Sequence, residues 1–129
     1  MTDTLETNHA LENARGWVTT IREMMAALAS DDENESEEAR ERIHEAPLAV
    51  DVRSGWASPG SPMDAAEFQI LLTTGGPALR IVGDLNAYGE PETARLEWQD
   101  WGTPWTFVSL ASDDAKAVHD FAELFYFGD

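Results

Sequence analysis

Apolar residues Leu11, Ala14, Trp17, Val18, Ile21, Met24, Met25 and Leu28 recur three and four positions apart. That spacing gathers them on one side of a helical turn and predicts an amphipathic helix from about residue 9 to 29. A stripe of this kind needs a partner surface. The next segment, SDDENESEEARERIHEAP, offers Ser36 as an N-cap and Glu37 and Glu38 in the first turn, where the helix dipole favours acids. Arg42 and His44 follow near the end, before Pro47. It predicts a second helix over about 36 to 45.

From Pro47 the period falls to two. Leu48, Val50 and Val52, continued by Trp56, point one way and Asp51 and Arg53 the other, the pattern of a half-buried strand. SGWASPGSPMDA reads as loop. Phe68, Ile70 and Leu72 then alternate with Gln69 and Thr73 up to Gly75-Gly76, a pair suited to a tight hairpin turn. Leu79, Ile81 and Leu85 predict a third strand, Ala94, Leu96 and Trp98 a fourth, and residues 105 to 109 a short fifth. Ser112 is placed to cap a last helix, with Asp113 and Asp114 in its first turn and Ala115, Val118, Phe121, Ala122 and Phe125 as its apolar stripe.

Short-linked strands with helices grouped at the ends predict an α+β fold. Its expected form is an antiparallel four- to five-stranded sheet with two N-terminal helices and one C-terminal helix packed on it. At 129 residues, one domain is expected. Its expected parts are a helical, acidic region at 9–46, the sheet at 47–110 and the last helix at 112–127. No internal repeat stands out.

Charge changes the picture more than any motif does. The formal net charge is -17, from 25 acids against 8 bases, with Lys116 the sole lysine. Solubility alone asks for a net charge of magnitude roughly 2 to 8 in a small domain. Such a field repels nucleic acid and anionic lipid and attracts basic surfaces in a salt-dependent way. Direct binding to nucleic acid or to a membrane is therefore not expected. The absence of cysteine removes disulfides, thiolate nucleophiles and cysteine metal sites. The acidic start MTDTLETNHALEN does not look like a secretory signal and no run approaches a membrane span, so a cytoplasmic location is expected. Asn34-Glu35-Ser36 matches a glycosylation acceptor, which has no weight without export.

Candidate chemistry is thin. His119 has Glu123 one turn on, a spacing that can offer two metal ligands, but HDFAE lacks the third ligand that metal-binding helices carry, and no metal or other cofactor is expected. DLNAYGEPETAR begins like a calcium loop with Asp84, Asn86 and Gly89. It departs at Tyr88 and at Arg95, where the loop needs oxygen ligands. Gly75-Gly76 lacks the lysine of a phosphate loop, and no serine-nucleophile elbow occurs. Glu97 and Asp100 beside tryptophans suit sugar chemistry in residue type only, and a small domain offers little room for a deep cleft. No enzyme class is favoured.

EWQDWGTPWTF packs three of the five tryptophans into residues 97 to 107. Leu96 and Trp98 share a strand face, so Trp101 falls on the other unless the chain has turned. Gly102 and Pro104 mark a turn, with Pro104 holding Thr103 extended. Trp105 and Phe107 then share a face of the returning strand. Two of the three tryptophans are thereby available to a hairpin core, the leading reading. Trp101 at the hairpin end is a candidate anchor for a partner or a second copy.

The acidic helix says more. Glu33, Glu37, Glu41 and Glu45 form one stripe, and like charges at i, i+4 cost about 0.2–0.5 kcal/mol per pair. Glu38 is well placed to pair with Arg42. The plain reading of such a run is a solvated face or linker. The functional one is a row of carboxylates standing in for phosphates in a groove built for nucleic acid.

EWQDWGTPWT and the closing FAELFYFGD, with the acidic segment upstream, resemble a group of short acidic proteins of mostly unassigned function carried by proteobacterial plasmids and integrating elements. Elements of that kind often encode anti-CRISPR and antirestriction inhibitors, and the resemblance implies such a role. The expected function is inhibition of a host nucleic-acid-handling defence complex by steric occlusion or DNA mimicry. Glu33, Glu37, Glu38, Glu41 and Glu45 would meet a partner's basic groove, with Trp101 as a second contact. The alternatives are a generic interaction or immunity module using the tryptophan hairpin, and a small-ligand-binding domain. A homodimer through the tryptophan region or the methionine-bearing helix is compatible with the pattern.

Overall fold

The computed structural model describes residues 2–74, 77–100 and 102–128, with side chains from residue 9 onward. Helix α1 spans Thr2–Leu28 and α2 spans Glu33–Glu45. Five strands follow, β1 Ala49–Ser54, β2 Ala65–Thr73, β3 Ala78–Asp84, β4 Arg95–Gln99 and β5 Thr106–Phe107, and α3 spans Ser112–Ala122. The strands pair antiparallel in chain order, β1-β2-β3-β4-β5. The expected α+β arrangement of three helices and an antiparallel sheet is the one observed.

Ala14, Val18, Ile21 and Met24 of α1 are buried, as the stripe requires, and Leu11, Trp17, Met25 and Leu28 flank them half-buried. They share one core with Phe68, Ile70, Leu72, Leu79, Ile81, Leu96 and Trp98 of the sheet and with Val118, Phe121 and Ala122 of α3. Cross-strand partners share a face, so Ile70 beside Ile81 and Ile81 beside Leu96 line the helix side. Gln69, Arg80, Val82, Arg95 and Glu97 line the opposite, open side.

Gly83 lies where the 85–94 connection folds back on β3. A Cβ there would run into the Thr93 carbonyl and the Phe68 ring, so only glycine fits. Asn86 organises that connection by accepting from the Tyr88 and Glu90 amides at 2.8 and 3.1 Å.

Several boundaries differ from expectation. Helix α2 starts at Glu33, because Asp32 rather than Ser36 is the cap: its carboxylate accepts from the Asn34 and Glu35 amides at 2.9 and 3.4 Å. Aspartate caps as well as serine does, and the earlier start adds nearly a turn. Ser112 is the first residue of α3, and its N-cap Ala111 makes no side-chain cap bond. Phe125 lies past the end of α3 and is half-buried, while Leu85 lies just past β3, bridged to Pro91. The expected Gly75-Gly76 turn falls outside the described residues. Thr73 already pairs with Leu79 across it.

The largest correction concerns β1. Val50 sits opposite Ile70 and Val52 opposite Phe68, so both belong to the helix-side face, as the alternation requires. Yet Leu48, Val50 and Val52 are 62%, 36% and 46% exposed, and Trp56 is fully exposed. β1 is an edge strand, and no β1 residue joins the core under the helices.

Candidate functional site

The site expected from sequence centres on α2. Ala39 and Ile43 are fully buried, with Ile43 part of the core, and they hold one side of the helix down. Two more contacts fix its ends. The Ser36 hydroxyl donates to the Leu28 carbonyl at 2.8 Å, tying the first turns to the end of α1. The His44 ring meets Phe125 edge-on, centroids 5.4 Å apart. A helix held at three points pays little ordering entropy when a partner binds.

Glu33, Glu37, Glu41 and Glu45 all lie inside this helix and all are exposed. At 100° per residue they run along the side turned away from Ala39 and Ile43. Three spacings of four residues give a row about 18 Å long with neighbours about 6 Å apart. Glu38 is exposed beside the row, and Arg40 and Arg42 flank it on its two sides. Among the described residues none of these five glutamates forms an ion pair or a side-chain hydrogen bond; Glu35, off the row, takes the Ser30 hydroxyl at 3.0 Å. Arg42 is exposed but does not close on Glu38. Among the described residues the row closes no ion pair, and it lies on a helix held at three points.

Trp101 falls outside the described residues. The other hairpin tryptophans part company. Trp98 is buried in the core, whereas Trp105 is half-buried on the open face and Phe107 is 56% exposed there. The expectation that Trp105 and Phe107 share a face holds, since Phe107 pairs with Glu97. That face is the open one, so neither belongs to the core.

The Arg80 guanidinium lies 4.0 Å over the Trp105 ring. It donates to Glu97 at 2.8 and 3.0 Å and to Gln69 at 2.6 Å, while Arg95 reaches Glu97 at 3.2 Å. This network spans β2, β3 and β4 and covers the tryptophan face that a sugar would need. A concavity of about 190 Å³ on the same side is lined by Asp51, Arg53, Glu67, Gln69, Arg80 and Arg95 among others. Glu97, Asp100 and Trp105 are not in its lining, so the carboxylate and aromatic pairing expected of a sugar site is not assembled there.

No family model, curated protein or solved structure matches this chain. The functional reading therefore rests on the geometry of the chain itself. Among the described residues no helix is long and apolar enough to cross a membrane.

The His119 cluster is better furnished than the sequence suggested, because Asp120 joins His119 and Glu123 with ligand atoms within 4.8 Å. Each already has a protein partner. His119 Nε2 donates to the Pro91 carbonyl at 3.1 Å, His119 Nδ1 lies 3.2 Å from Glu123, and Asp120 accepts from Lys116 at 2.7 Å. That hydrogen bond, then the charge of Asp120, with Glu123 adding more, hold the Lys116 ammonium above its usual pKa. The His119 bond fastens α3 to the connection at Pro91, and the other two contacts brace the helix itself.

Proposed function

We propose that this chain is a small acidic inhibitor that occupies the basic groove of a host nucleic-acid-handling defence protein, of the anti-CRISPR or antirestriction kind. The observation that carries the proposal is the unpaired row Glu33, Glu37, Glu41 and Glu45, exposed on a helix anchored at three points. A groove lined with cations to neutralise phosphates also attracts a carboxylate row by direct, salt-screened charge complementarity. The inhibitor needs no catalytic group, because it acts by filling the space that nucleic acid would take. The overall charge of -17 speeds its encounter with a basic surface.

The test compares the wild type with a Glu37→Gln, Glu41→Gln, Glu45→Gln variant in pull-downs from host lysate at low and moderate salt. Captured proteins are identified by mass and then assayed for nucleic-acid binding with and without the inhibitor. The proposal expects a nucleic-acid-binding complex whose capture falls with salt and falls again with the variant. Equal capture by both proteins at every salt concentration would remove the acidic row from the mechanism.

A second reading is favoured by the exposed Phe107 next to the tryptophan hairpin. In it the chain is an interaction module that uses its aromatic residues, and its charge serves solubility. It predicts that Trp101→Ala costs more capture than loss of the three glutamates.

A further inference from the structure

Strand β1 and the residue before it carry an apolar line, Leu48, Val50 and Val52, that the helices leave exposed, and among the described residues no strand closes the sheet beyond it. An edge of this kind is a template for another strand, and proteins usually protect it with proline, bulges or a covering loop. Here Pro47 precedes the strand and the β1–β2 register shifts between Arg53 and Ser54, yet β1 residues 50–54 are all exposed. The occupant is indicated by the order of the charges on the other face of the strand, Asp51 and Arg53, two positions apart around Val52.

A symmetric antiparallel pair of β1 strands must centre on one residue. Centred on Asp51 or on Arg53, it sets like charges face to face. Centred on Val50, it puts Asp51 against Ala49 and Arg53 against Pro47. Centred on Val52, it pairs Asp51 of each copy with the partner's Arg53, Val52 with the partner's Val52, and Val50 with the partner's Ser54. Only this register matches opposite charges and apolar residues together.

We infer that the chain forms a homodimer by antiparallel pairing of its two β1 strands about Val52. The charge row this creates is alternating. Arg53 uses Nε and Nη2 on Glu67 of its own β2, at 2.8 and 3.1 Å, which leaves Nη1 for the partner's Asp51. Paired residues share a face, so both helical layers lie on one side of the joined sheet, and both α2 rows ride on the same particle. The inference stands on β1 alone and does not depend on what α2 binds.

The chain has no cysteine, which makes the register directly testable. Cysteines paired at a two-fold strand centre fall within the roughly 4.4–6.8 Å Cα separation that a disulfide spans, and residues two positions away from the centre do not. In the full chain, Val52→Cys is expected to cross-link to a dimer under mild oxidation and Val50→Cys to stay single. Light scattering should give the uncross-linked wild type twice the 14.2 kDa of one chain. Arg53→Asp should return it to the single mass, and adding Asp51→Arg to that variant should restore the doubling. A wild type of single mass at millimolar concentration overturns the inference, as does cross-linking of Val50→Cys in preference to Val52→Cys.

Discussion

Replacing Glu37, Glu41 and Glu45 together by glutamine should make the protein more stable while making it a worse ligand. The row contains three neighbouring pairs at i, i+4: Glu33 with Glu37, Glu37 with Glu41, and Glu41 with Glu45. The variant removes all three repulsions, worth about 0.6–1.5 kcal/mol in sum. Glutamine and glutamate have similar helix propensities, so the exchange isolates charge. Glu33 is left in place because the first turn favours an acid, whereas Glu45 sits at the end the dipole disfavours. Glu37–Arg40 and Arg42–Glu45 spacings exist, yet neither closes into an ion pair among the described residues, so little attraction is lost.

The assay is thermal and urea unfolding at low ionic strength, repeated in salt. For a chain of this length each kcal/mol moves the midpoint by roughly 3–5 °C, so a rise of about 2–7 °C is expected. The gain should shrink near physiological salt, where the screening length of about 8 Å is close to the charge spacing. A variant no more stable than wild type, or less stable, at low salt would refute the reasoning. The glutamates would then be supporting the fold, and nothing outside it would be needed to explain them.

Asp32→Ala removes the cap of α2 and should cost about 1 kcal/mol, read from the urea midpoint, with loss of helical signal as the first turn frays. Gly83→Ala forces a methyl group against the Thr93 carbonyl and the Phe68 ring and should cost about 1–3 kcal/mol by the same measurement. Arg80→Ala leaves Glu97 with Arg95 alone and uncovers Trp105. It should cost about 1–3 kcal/mol in denaturant and increase quenching of tryptophan emission by an added neutral quencher.

The order of elements follows from local pattern. Spacings of three and four mark α1 and α3 and alternation marks β2, β3 and β4, because burial of one face imposes its period on the residues that make it, while cap and charge placement mark α2. The charge of α2 and the stripe it forms are also plain in the chain, since side chains four apart on a helix share a face wherever the helix packs. The extra turn that brings Glu33 firmly into the row was less legible. Asp32 and Ser36 are equally good caps in isolation, and it is the bond from Ser36 to the end of α1 that assigns them different tasks.

What periodicity cannot say is whether a face is covered. Leu48, Val50 and Val52 alternate as cleanly as Phe68, Ile70 and Leu72, and the two sets do share one side of the sheet. They differ because the helices pack over the middle of the sheet and leave its β1 edge bare, a fact about the width of the helical layer that no local pattern contains. Trp105 shows the same limit in reverse: parity put it with Phe107, but Arg80, a residue far away in sequence, is what turned that face into a charged network instead of a core. The sequence by itself determined the elements, their faces and the acidic row. The tertiary structure alone decided which faces meet, and so which apolar strand and which carboxylates are left for another molecule.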